Sequence, residues 1–243
     1  MLLSLLSCLT ASAGVALALS LRENIRVIAA GIGFSVGIMV LISVCELIPK
    51  SIAAIGVGTS LGTASAGAAL VWTAHLVIPH THLIREHGMV DTRLIRAAYL
   101  VALGLILHDV PEGFAMANAY VASPDLGVLV ALAIALHNVP EEFAMAVPLV
   151  ALRSRASLFG AALLSALAEP VGAVIGLAAI GVAPVLNAHF LAFAAGAMLF
   201  VSIHELVPMA RRYRDMGASL LGGLFGVLVY ALLARVTTGL ATS

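Results

Sequence analysis

The sequence predicts an all-α, polytopic membrane protein with about eight transmembrane helices and an inverted-topology repeat. Three observations lead there. The 243 residues are 62% hydrophobic and only 10% charged, where a soluble domain carries about 25% charge. Mean hydropathy is +1.14, and apolar runs of spanning length recur along the whole chain. Two of those runs carry nearly the same motif. A soluble bundle of this composition would lack the polar surface to cover itself. The net charge of zero leaves no electrostatic footprint for nucleic acid. Cys8 and Cys45 lie inside apolar stretches and read as two buried thiols, not a disulfide framework.

Each span needs roughly 20 mostly apolar residues. Eight candidates follow, at approximately 2–20, 27–48, 60–79, 97–120, 126–149, 158–180, 187–208 and 216–239. The connections are short, so 1–243 reads as a single transmembrane domain. The first run is followed by small residues, like a signal peptide, but no Lys or Arg precedes it. It is therefore expected to be a retained helix with its N-terminus outside. The distribution of positive charge supports this, because Lys and Arg collect in cytoplasmic loops. Arg22, Arg26, Arg85, Arg93, Arg96, Arg153, Arg155, Arg211, Arg212 and Arg214 fall on the predicted inside. Only Lys50 and Arg235 fall outside. Both termini are then expected outside, in a plasma (inner) membrane.

The repeat sits in the fourth and fifth spans. Ala102–Ala117 reads ALGLILHDVPEGFAMA and Ala131–Ala146 reads ALAIALHNVPEEFAMA. A weaker pair joins spans 2 and 7. Gly37, Met39, Ser43, Glu46, Leu47 and Pro49 match Gly196, Met198, Ser202, Glu205, Leu206 and Pro208. Each matched pair is an odd number of spans apart, so its members run in opposite directions. Transporters place substrate near the midplane at such repeat interfaces.

The chemistry lies in the same strings. Glu46, Asp109, Glu112, Glu141, Glu142, Glu169 and Glu205, with His108, His137 and His204, fall in spans or at their ends. Ionisable groups at that depth cost several kcal/mol and mark a functional pathway. A metal cation compensates many acids at once. His108 and Glu112 are i and i+4, on one helical face, and His137 and Glu141 repeat the arrangement. Pro111 and Pro140 remove backbone donors and free the carbonyls of Leu107 and Leu136. Asp109 and Asn138 add oxygen ligands beside each histidine, Glu169 adds a carboxylate, and Met39 a thioether. Met198 is a weaker candidate, since Met also fills packing gaps. This donor set suits Zn, Fe, Mn, Co or Cd better than Mg or Ca. Glu46, Glu142, His204 and Glu205 are candidates for the metal path. His80, His82 and His87, with His75 just before them, form a histidine-rich loop that reads as either a metal-capture site or a solvated connection.

These motifs resemble the ZIP (Zrt-, Irt-like) family of divalent-metal transporters. The fourth-span motif is His108-Asp109-Val110-Pro111-Glu112-Gly113, and the fifth-span motif is His137-Asn138-Val139-Pro140-Glu141-Glu142. Ala168-Glu169-Pro170, Gly37–Met39 and His204–Pro208 also match. The resemblance implies a binuclear site. His108, Glu112, Glu141 and Met39 would form one position. Asp109, Asn138 and Glu169 would form the other, with Glu112 and Glu141 bridging and His137 adjacent. It further implies influx toward the cytoplasm, homodimers, and elevator-like movement of spans 1, 4, 5 and 6 against spans 2, 3, 7 and 8. Asp109 stands where the family usually has Asn, and Glu142 where it has Gly.

The expected function is transport of a divalent transition metal, zinc first, with no required cofactor and the lipid bilayer as surroundings. The rival is an intramembrane zinc-dependent hydrolase, which needs three ligands, an open position for water and a general base. The chain lacks an H-E-x-x-H motif. A carrier of organic substrate would not need so many metal-type ligands.

Overall fold

Nearly every described residue is helical, because apolar sequence in lipid must satisfy each backbone group within its own segment. The computed structural model describes residues 6–21, 24–77, 109–151 and 155–241. The helices are α1 (Leu6–Leu21), α2 (Ile25–Leu41), α3 (Ile48–Ile55), α4 (Val57–Val77), α5 (109–122), α6 (Pro124–Ala151), α7 (Arg155–Val182), α8 (Asn187–Val201), α9 (Val207–Arg212) and α10 (Met216–Ala241). There is no strand among the described residues. Among the described residues, five runs are long and apolar enough to cross a bilayer: Ile25–Ile55, Pro124–Val147, Leu158–Val182, Pro184–Arg212 and Met216–Thr237.

Polarity is arranged inside out. Leu220, Leu221, Leu224 and Leu228 on α10, and Leu163, Leu164, Leu167 and Val171 on α7, are exposed. Asp109, Glu112, His137, Asn138, Glu141, Glu142 and Glu169 are buried. That is the pattern of a protein whose solvent is hydrocarbon and whose interior carries the polar work.

Spans 2 and 7 are longer than the sequence suggests. The expected spans end near residues 48 and 208, but α2 continues into α3 and α8 into α9. The joints are π-helical turns, Ile42–Leu47 and Ser202–Leu206. Each turn lies just ahead of its proline, which sits at the start of the next helix. A widened turn re-pairs the backbone around a residue with no N–H, so the prolines do not end the helices. Glu46, His204 and Glu205 therefore lie within continuous helix rather than at its ends. The turn also puts Cys45 on the exposed side, contrary to the buried position its apolar setting implied. Helix α3 stops at Gly56, whose φ of 80° favours glycine.

The weaker repeat reappears in packing. A Cβ on Gly37 of α2 would lie 2.6 Å from the Gly223 carbonyl oxygen of α10. A Cβ on Gly196 of α8 would lie 1.8 Å from the Ala64 oxygen of α4. The contacts Gly226–Phe34 and Gly67–Phe193 correspond in the same way. All four correspondences share one offset along the chain, so α2/α10 and α8/α4 are two copies of one close-packed pair. Small residues let these backbones approach where lipid supplies no hydrophobic drive.

The helices fall into two packed groups. α1, α6 and α7 pack together, and α5 lies against α7 through Gly113, Gly172 and Gly176. α2 with α10, and α4 with α8, form the other group. The groups meet where α6 packs on α2 and α10, and where Phe114 is edge-on to Phe190 and Phe193 at 5.5 and 6.2 Å.

Candidate metal site

α5 and α6 form a tight hairpin through Ser123. Glu112 precedes that turn and His137 follows it by a similar distance, and their side chains meet, so the two motif helices run antiparallel. α6 starts at Pro124, whose missing N–H is unneeded in a first turn, with Asp125 beside it to favour the positive helix end. It runs through Pro140 without ending. Ser35 of α2 donates to the His137 carbonyl at 2.8 Å, one residue beyond the Leu136 carbonyl that Pro140 leaves without its usual donor.

The i, i+4 face of α6 carries His137 and Glu141 toward Glu112 of α5. One ligand atom from each of the three lies within 4.8 Å of the others. Relative exposures are 0% for Glu112, 0% for His137 and 4% for Glu141. Among the described residues, this is the one such group of three His, Cys, Asp or Glu side chains. His137 Nδ1 lies 2.8 Å from the Ala133 carbonyl, which can only accept, so Nδ1–H donates there. That bond fixes the ring and aims Nε2 at Glu112 Oε1, 3.1 Å away. A backbone carbonyl behind a metal-binding histidine orients it in this way. Glu112 Oε2 is buried with no hydrogen-bond partner among the described residues. A desolvated, unpartnered carboxylate oxygen is costly unless a cation satisfies it.

A second face of α6 carries Asn138 and Glu142 toward α7. Asn138 Nδ2 donates to Glu169 Oε1, while Asn138 Oδ1 is buried with no hydrogen-bond partner among the described residues. Glu169 comes this close because α5 and α7 touch backbone to backbone. A Cβ on Gly113 would lie 1.9 Å from the Glu169 carbonyl oxygen. One turn earlier on α7, Ser165 donates to Asp109 Oδ2 at 2.6 Å and also bonds Glu142 Oε1. Asp109, expected beside Asn138 and Glu169, accepts from the Ser165 hydroxyl, one turn from Glu169 on the same helix.

The other candidates are spread more widely. Met39 is fully buried, and its sulfur accepts from Ser202 at 3.6 Å. Met198 is buried, and its carbonyl accepts from the same hydroxyl at 2.9 Å. Glu46 accepts from the Tyr230 hydroxyl at 2.6 Å. His204 is exposed and stacks on Phe200 at 4.3 Å, and Glu205 is half-buried beside it. His80, His82, His87 and His108 lie outside the described residues. Sequence reasoning gave no role to Ser165, Ser35, Ser202 or Tyr230. Ser165 carried a signal, since it stands four residues before Glu169 and shares its helical face.

The fold and this site define an integral membrane protein with a buried carboxylate–imidazole cluster whose donors suit a divalent cation. The ZIP zinc transporter family model matches residues 78–234. The zinc transporter ZupT of Chlorobium luteolum is 36% identical, covering 96% of this chain and 95% of the relative. ZupT of Corynebacterium aurimucosum is 35% identical over 94% and 93% respectively. ZupT of Stenotrophomonas maltophilia strain K279a is 36% identical over 84% and 85%. The chain belongs to the ZIP family of metal transporters, which carry ions rather than catalyse reactions.

Proposed function

We propose that this protein moves divalent transition-metal ions, zinc foremost, across the plasma (inner) membrane into the cytoplasm through the Glu112–His137–Glu141 cluster. The observation that carries this reading is the cluster itself. Two carboxylates and an oriented imidazole converge within 4.8 Å where neither water nor lipid compensates their charge. Zn, Fe(II), Mn, Co and Cd all accept this donor set. His108 and Met39 complete one ion position, and Asn138, Glu169 and Asp109 contribute to a second, with Glu112 and Glu141 bridging. Glu46, Glu142, His204 and Glu205 line the approach, and the His80–His82–His87 loop captures metal.

Eight spans with both termini outside fit the charge distribution. The two packed helix groups suit an elevator, in which α1, α5, α6 and α7 move against the rest within a homodimer. The Glu112–His137–Glu141 cluster lies on the moving group, so an ion travels with those three ligands and parts from Met39 on α2. Intramembrane hydrolysis has no support here, since the relatives are named as transporters.

The test is zinc uptake by proteoliposomes carrying wild type or Glu141→Ala. Wild type should accumulate zinc, and the inserted variant should not. Wild-type uptake by Glu141→Ala would refute the site assignment. No uptake by well-folded wild type would refute transport.

A further inference from the structure

Ser165 is a neutral side chain where two acids meet. It is 3% exposed, and both its partners, Asp109 and Glu142, are buried. Those partners are the two positions at which the paired motifs depart from the family's usual Asn and Gly. The departures are far apart in sequence, on α5 and α6, yet both end on the same hydroxyl of α7.

The placement is fixed from several sides. α6 presents Asn138 and Glu142 one turn apart, and α7 presents Glu169 and Ser165 one turn apart. They pair as two rungs, Asn138 with Glu169 and Glu142 with Ser165. Behind Glu142, a Cβ on Gly14 of α1 would lie 2.4 Å from the glutamate Cβ, so α1 holds that residue forward. Asp109 joins the second rung from α5. One hydroxyl hydrogen serves one acceptor at a time, so two carboxylates on one serine repel across it. A cation held nearby would relieve that repulsion.

We infer that Ser165 is a positioning residue that sets metal preference, by holding Asp109 and Glu142 as an oxygen pair, one residue along α6 from Glu141 and one turn along α5 from Glu112. This rests on the transport reading above. Added carboxylate oxygens favour Mn, which suits oxygen ligands, relative to Zn, which suits imidazole. Without the serine, the two carboxylates swing apart and that bias is lost.

The experiment uses reconstituted full-length protein and measures the KM for zinc uptake together with the Ki of Mn²⁺ against it. Ser165→Ala should raise the ratio of Ki to KM by about tenfold, while Ser165→Thr, which keeps the hydroxyl, should hold it within about twofold. Glu142→Gln, which keeps the shape of the rung but removes its charge, should move the ratio in the same direction as Ser165→Ala. It decides the matter if Ser165→Ala fails to insert. An unchanged ratio in Ser165→Ala or Glu142→Gln overturns the inference, as does a Thr variant that shifts as far as the Ala variant. So does a zinc-transporting wild type that Mn²⁺ does not inhibit. A wild type that takes up no zinc counts instead against the transport reading.

Discussion

Replacing Glu112 with Gln should raise the stability of the metal-free protein and lower its response to zinc, two effects of opposite sign. The side chain is fully buried, one oxygen faces His137 Nε2 at 3.1 Å, and the other has no hydrogen-bond partner among the described residues. Neutralising a buried charge that is only half satisfied removes a desolvation cost. The cluster holds two carboxylates against one imidazole, so neutralising Glu112 also removes its repulsion with Glu141 and still leaves His137 an anionic neighbour. The substituted side chain keeps an acceptor for His137 but leaves its own amide partly unpaired, so the net gain is about 1 kcal/mol. In a chain of this size that corresponds to a rise of roughly 2–4 °C in the Tm of metal-free protein. Zinc, in contrast, loses a charged ligand. A charge-assisted contact is worth about 1.5–3 kcal/mol, so zinc affinity should fall at least about tenfold. The assay is thermal unfolding in detergent across a zinc titration. Wild type should gain stability with zinc, by about 2.7 kcal/mol when the ion is at a hundred times its Kd. Glu112→Gln should start higher and gain far less. A variant that starts lower and responds to zinc like wild type would refute the idea that Glu112 is held for a cation.

Two further outcomes follow from the same geometry. Gly113→Ala places a methyl 1.9 Å from the Glu169 carbonyl oxygen. It should force α5 and α7 apart, cost about 1–3 kcal/mol and depress zinc uptake even in inserted protein, which uptake normalised to reconstituted protein would reveal. Uptake should also fall steadily on acidification at fixed zinc, because the imidazole and carboxylate ligands bind metal only when deprotonated. A pH series of initial rates with the proton gradient clamped at zero checks this, and a flat profile would argue against imidazole–carboxylate ligation.

The sequence by itself determined the class of protein. Runs of spanning length, buried acids without matching bases, and a duplicated His–Pro–Glu string are local facts, and each has a direct physical reading in a bilayer. The i, i+4 spacing of His137 and Glu141 placed both on one face of one helix, and the structure keeps them there. Which face meets which helix is another matter. Rotation and depth of packed helices are set by close backbone approaches such as Gly113 on Glu169 and Gly14 on Glu142, and spacing along one helix does not encode them. The family resemblance already put His137 beside Glu112, but only the tertiary structure drew Asp109 and Glu142 onto Ser165 and tied Met39 to Ser202. The π-turns were illegible for a related reason. A proline in an isolated helix reads as a stop, but in Ile25–Ile55 and Pro184–Arg212 the surrounding packing holds the helix together through a widened turn. Local chemistry fixed what the side chains can bind, and packing decided which of them bind together.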